Sequence, residues 1–106
     1  MDPHRLAEER SLALHRAVVA RLRSDPHVLS RAQEKVERWV ASGAAPHYAR
    51  AWQELLAGPL EAVCALLVAD TQAGRAMRQA TPFAGAVAPR ERWRIWARAA
   101  RDASVR

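Results

Sequence analysis

A chain of 106 residues, half of them apolar, with a single cysteine, is long enough for one modest hydrophobic core and excludes a disulfide framework. Its longest apolar run, Ala62–Ala69, is far too short to cross a bilayer, and no signal peptide is visible at the charged N-terminus, so the expectation is a cytoplasmic protein with no membrane contact. The net charge of +6 is unevenly placed: residues 1–74 hold nine basic and nine acidic side chains, whereas residues 75–106 hold eight Arg against Glu91 and Asp102. Such an imbalance suits contact with a polyanion or an acidic partner. Sixteen Arg against one Lys, with no Asn, equally fits a GC-rich coding bias.

Asp2-Pro3 reads as a helix start, with Asp as the cap and Pro in the first turn, where its missing N–H costs nothing. This first helix should run to about Arg23. Leu6, Ala13, Leu14, Ala17 and Val18 share its main apolar face, while Leu12 and Val19 fall on the other side. A helix with two apolar stripes touches two neighbours, and a second copy of the chain is one candidate for the second. Asp25-Pro26 repeats the capping device. The helix it starts, to about Ser42, has Val28, Leu29, Ala32, Val36, Trp39 and Val40 within about 120° of arc. Arg31, Glu34, Glu37 and Arg38 lie opposite, Glu34 and Arg38 forming a favourable i,i+4 pair. Gly43 is suited to end it.

Pro46 opens a third helix with Tyr48, Trp52, Leu55 and Leu56 on its apolar face, closed by Gly58-Pro59. The segment from Leu60 to about Val68 is apolar almost all round, which predicts burial on several sides at the centre of the core. Cys64, inside it, should behave as a small hydrophobe. Asp70-Thr71 can cap one more short helix, to about Gln79, although Gly74 weakens it. Thr81-Pro82 breaks regularity, Phe83-Ala84-Gly85 reads as a turn, and Pro89 opens the last helix. No stretch alternates as a strand would. The expected fold is all-α: one domain of five or six short helices without a sheet, residues 1–74 as a charge-neutral scaffold and 75–106 as a basic turn plus C-terminal helix.

Groups able to do chemistry do not converge. The four His are scattered at 4, 15, 27 and 47. His4 and His15 share a helix face but stand roughly 16 Å apart, beyond any shared metal. No HExxH, Cys pair or Gly-rich phosphate loop occurs. The expectation is therefore no enzyme, no metal and no cofactor. A helix-turn-helix reading of Trp39–Leu56 is weak, because its second helix offers only Arg50 against Glu54.

The last helix is more informative. Arg90, Arg94, Arg98 and Arg101 fall within about 80° of arc as one stripe. Trp93, Trp96, Ala97 and Ala100 form the adjoining face, which is expected to pack on the scaffold. Guanidinium groups in a row suit phosphates or a partner's carboxylates, so these four Arg are the nucleic-acid candidates, with phosphate contact expected more than base reading. Phe83 admits two readings: a plug over the core, or an anchor exposed on a rigid turn for a protein partner.

The segment Arg78–Trp96, RQATPFAGAVAPRERWRIW, resembles a C-terminal signature of small uncharacterised bacterial proteins, RQ-S/T-PFAG-x3-PxERW, which are similar to the antitoxin-like partners of toxin–antitoxin pairs. Ala80 and Thr81 depart mildly from the pattern, filling a slot where Ser or Asn followed by Ser is expected. The resemblance points to Arg78, Pro82, Phe83, Gly85, Pro89, Arg92 and Trp93 as functional positions, Arg92 and Trp93 being equally suited to fixing the turn to the last helix. It implies an antitoxin-like protein that binds an acidic, toxin-like partner through Arg78, Pro82, Phe83, Gly85, Arg90 and Arg94. A nucleic-acid-binding transcriptional regulator using Arg90, Arg94, Arg98 and Arg101, with DNA as ligand, is the alternative. Self-association through the first helix is a further expectation.

Overall fold

The computed structural model describes residues 2–104. They form six α-helices and, among the described residues, no strand: α1 (Pro3–Ser24), α2 (Pro26–Ser42), α3 (Pro46–Ala57), α4 (Leu60–Leu67), α5 (Gln72–Gln79) and α6 (Pro89–Ser104), with one 3-10 turn at Ala84–Ala86. The all-α expectation holds. Both Asp-Pro devices work as their chemistry requires. The Asp2 carboxylate accepts from the His4 N–H at 3.0 Å and Asp25 accepts from the His27 N–H at 2.9 Å, so each satisfies an amide that the first turn leaves without a partner.

Gly43 ends α2 with φ +74°, in the left-handed region where a glycine carries no Cβ penalty, and its N–H returns to the carbonyls of Trp39 and Val40. The chain then reaches Pro46 through Ala45, a non-glycine residue at φ 43°. Thr71 caps α5 by accepting from the Gly74 N–H at 3.0 Å. Gly74, which weakened the helix on propensity, is there for space: a Cβ would stand 2.6 Å from the Ala69 carbonyl oxygen.

The 22-residue α1 is the axis of the molecule, about 33 Å long, and α2, α4, α5 and α6 all pack on it, while α3 rests on α2 and α4. Arg21 near the end of α1 pairs with Glu91 at the start of α6, which sets these two helices antiparallel. Val19, on the second stripe of α1, packs against the core cluster and Leu12 is half-buried. That stripe therefore finds its neighbours inside the chain and carries no argument for self-association.

Trp52 and Phe83, both fully buried and edge-on with centroids 5.9 Å apart, sit in a cluster with Val18, Val36, Val63, Leu67 and Val87. Aromatic side chains of this size bury on the order of 150–250 Å² each and dominate a core this small. Two expectations need correction here. The α4 segment is not buried all round: Val63, Cys64 and Leu67 face inward, whereas Glu61, Ala62 and Ala65 are exposed. Its short alanines carry little hydrophobic cost at the surface, which is why an almost wholly apolar segment can still have an outside. The apolar face of α2 holds, with Val28, Ala32 and Val36 buried and half-buried Trp39 packed against the core, the Lys35 ammonium 5.9 Å from its ring; the expected ion pair on its outer side does not form. Glu34 and Arg38 share the outer side but do not come within ion-pair distance.

Candidate functional site

The segment Arg78–Trp96 divides into an inward half and an outward half. The inward half is Arg78 to Val87. Arg78 is 5% exposed, and its Nη1 donates to the Ala69 carbonyl at 2.8 Å and to the Leu67 carbonyl at 3.4 Å. These oxygens lie at the C-terminal end of α4, where carbonyls have no partner within their own helix. Burial pushes the Arg78 pKa down, and neighbouring Arg75 adds to this, while Asp70 and Glu8 oppose it. Pro82 is buried, and Phe83, 1% exposed, is seated against Trp52. Phe83 is therefore the core plug and not an exposed anchor. Arg78, Pro82 and Phe83 are thus buried and do not protrude as the anchors expected from the sequence. Gly85 is exposed at the edge of the turn.

The turn is held by a histidine that sequence reasoning passed over. His15 is buried on α1, with Nδ1 2.7 Å from the Ser11 carbonyl oxygen and Nε2 2.9 Å from Thr81 Oγ1. A carbonyl only accepts, so Nδ1 carries the proton and donates, and Nε2 accepts from the Thr81 hydroxyl. Thr81 Oγ1 in turn accepts from the Phe83 N–H at 3.1 Å. This chain of three bonds ties the start of the turn to α1 and orients Phe83. Burial holds the His15 pKa below its ordinary value of 6.5, the bond to Ser11 opposes that, and nearby Arg78 lowers it further. The available signal was position: His15 lies between Leu14 and Val18 on the buried side of α1, where an unpaired polar group is costly.

The outward half is α6. Ala99 and Ala103 are buried against the body of the protein, with Ile95, Trp96, Arg92 and Ala100 half-buried beside them. The packing face is thus rotated from the expected Trp93–Trp96–Ala97–Ala100 face by roughly a quarter-turn. Small residues let two helices approach closely, so the alanine pair, and not the tryptophan pair, decides which side of α6 meets the protein. Trp96 still packs inward, with the Arg92 guanidinium 5.5 Å from its ring. Trp93 is turned out, 68% exposed, and meets Trp96 edge-on at 6.0 Å between centroids.

Arg90, Arg94, Arg98 and Arg101 are all exposed along the side opposite Ala99. Among the described residues, none of their guanidinium groups makes an ion pair or a side-chain hydrogen bond. The one acidic residue at the start of this helix, Glu91, is taken up by Arg21. The arrangement is a row of four cations without a charged partner among the described residues, bordered by an exposed indole, on a helix packed against the protein from behind.

Elsewhere, a cavity of about 350 Å³ lies between the start of α1 and α5. Charges of both signs line it and pair with each other, Arg75 with Asp70 at 2.9 Å and with Glu8 at 3.9 Å. Among the described residues no three His, Cys, Asp or Glu side chains gather as a metal site, and none of the helices is long and apolar enough to cross a membrane. Cys64 is buried, and burial raises its thiol pKa, the reverse of what a reactive thiol requires. No family model, no curated protein and no solved structure matches the chain.

Proposed function

We propose that this protein is a non-catalytic, antitoxin-like binder that engages an acidic surface of a partner protein through the outer face of α6. Trp93 is the apolar anchor, and Arg90, Arg94, Arg98 and Arg101 pair with the partner's carboxylates. The observation that carries this reading is the conjunction, on one helix, of four guanidinium groups unpaired among the described residues with a 68% exposed tryptophan. Folding gains little from an indole left in water, whereas Trp and Arg are the side chains that dominate binding energy at protein interfaces. The turn serves this surface from behind, by fixing where α6 begins.

The test is to purify the product of the adjacent reading frame with this chain and titrate one against the other. Trp93→Ala should weaken the complex by about 2 kcal/mol or more. Exchange of Arg94, Arg98 and Arg101 for Glu should abolish it. Unchanged affinity in both variants would remove α6 from the interface.

The spacing of the same arginines supports a nucleic-acid reading as the alternative, since i,i+4 side chains stand about 6 Å apart along the helix and can follow a phosphate backbone. Affinity for duplex DNA should then fall steeply with salt, and neutralising the three arginines should flatten the log–log slope by up to about three units. A slope near zero excludes this reading.

A further inference from the structure

The turn has a second side. Between it and α2 lies a groove of about 250 Å³, floored by Val28, Ala32 and Phe83 and open beside Gly85. Its rim on α2 is Arg31, Lys35 and Arg38, spaced i, i+4, i+7, with Glu34 as the single acidic residue. Among the described residues none of the three cations makes an ion pair. Lys35 has only the Trp39 ring, 5.9 Å away. The groove uses no side chain of α6 and stands independently of the function proposed above.

We propose that this groove is a docking site for an acidic peptide segment carrying one large apolar side chain. Three features select that occupant. The volume is below the ~300–1,000 Å³ of cofactor and drug-sized pockets and suits a single side chain with its flanking backbone. The three cations on one edge match carboxylates and carry the selectivity, while the floor, with Val28 6%, Ala32 2% and Phe83 1% exposed, has room beside it for no more than one apolar group. Glu34 separates a peptide from a polyphosphate: a peptide brings backbone N–H donors that a carboxylate can accept, whereas phosphate brings only more negative charge. The PFAG part of the signature thus forms the wall of a recess, with Phe83 supplying floor and Gly85 supplying access.

The experiment uses the full chain and the fluorescein-labelled peptide Asp-Glu-Ser-Phe-Glu-Asp, followed by anisotropy and by amide chemical shifts of the protein. Saturable binding is expected, with shifts centred on Val28, Ala32, Gly85 and Ala86. The same peptide with Ser in place of Phe should bind at least about tenfold more weakly. Gly85→Leu should block the groove without disturbing the core, because a Cβ at Gly85 meets nothing within 4 Å and its φ is not left-handed. A loss of about tenfold or more is expected there, and again in the R31E/K35E/R38E triple variant, which alters only side chains on the rim. The R94E/R98E/R101E variant should bind the peptide as the unaltered chain does. Its failure to do so would make the contact a general charge attraction and overturn the groove while leaving the α6 reading to its own test. Undiminished binding in Gly85→Leu, displacement of the peptide by equimolar inorganic pyrophosphate, or groove shifts that follow protein concentration without peptide would each overturn the proposal, the last by placing a second copy there.

Discussion

Phe83 and Trp93 stand ten positions apart in one stretch, each an aromatic beside a proline-led turn or helix start, and they have opposite fates. Phe83 is 1% exposed and Trp93 is 68% exposed. The same contrast divides the arginines, since Arg78 is spent on the carbonyls of α4 and exposed Arg94 meets no acceptor among the described residues. Residue type therefore does not say which aromatic or which cation is functional. What decides is whether the backbone around it has groups that must be satisfied. The end of α4 and the Phe83 amide both do, and Arg78 and the His15–Thr81 pair supply what they lack. The outer face of α6 has no such demand, so its side chains are free for something else.

The widest gap is expected between the two aromatics. Phe83→Ala should cost about 3–5 kcal/mol of folding stability, a large part of the ~5–15 kcal/mol of an ordinary domain, whereas Trp93→Ala should change it by less than about 0.5 kcal/mol. Urea unfolding of the two variants side by side measures both, and similar costs would erase the contrast. The arginines should differ by less. Arg78→Ala leaves the α4 carbonyls unsatisfied and should cost about 1–3 kcal/mol, against almost nothing for Arg94→Ala.

The smallest effect is one of pH. The unfolded chain takes up a proton at His15 near pH 6.5, but the folded chain does so only at lower pH. Between those two values the unfolded state binds more protons, so stability falls as pH drops below about 6.5, by at most about 1.4 kcal/mol per unit, and levels off beneath the folded pKa. His15→Gln should flatten that part of the curve. An equally steep fall in the variant would place the acid sensitivity elsewhere and weaken the role given to the turn's tether.

Much of this was legible in the chain itself, for reasons that can be named. Asp-Pro at 2–3 and 25–26, Gly43 and Pro46 are punctuation whose chemistry is local, so helix boundaries followed from neighbours in sequence. The stripe of Arg90, Arg94, Arg98 and Arg101 followed from helical spacing alone and was found exposed as expected. The rotation of α6 was not legible. It depends on how closely Ala99 and Ala103 let that helix approach, and periodicity weighted by side-chain size favours the tryptophans. Nor were Arg78 and His15 readable as tethers. Their partners, the α4 carbonyls and Thr81, are chosen by the packing of helices far apart in sequence, 66 positions in the case of His15 and Thr81. The groove beside Gly85 has the same origin, since α2 and the turn meet only in three dimensions.

The closing of α1 by α6 also has a consequence for how the molecule is made. α1 is synthesised before the helix that packs along it, which begins 65 residues after α1 ends. At ~5–20 residues per second on the ribosome, α1 waits roughly 3–13 s for that cover. During that interval α1 has only α2 to α5 and the turn against it. A nascent chain stalled before Pro89 would accordingly leave the α6-facing side of α1 uncovered, a surface open to chaperones and proteases until α6 is made.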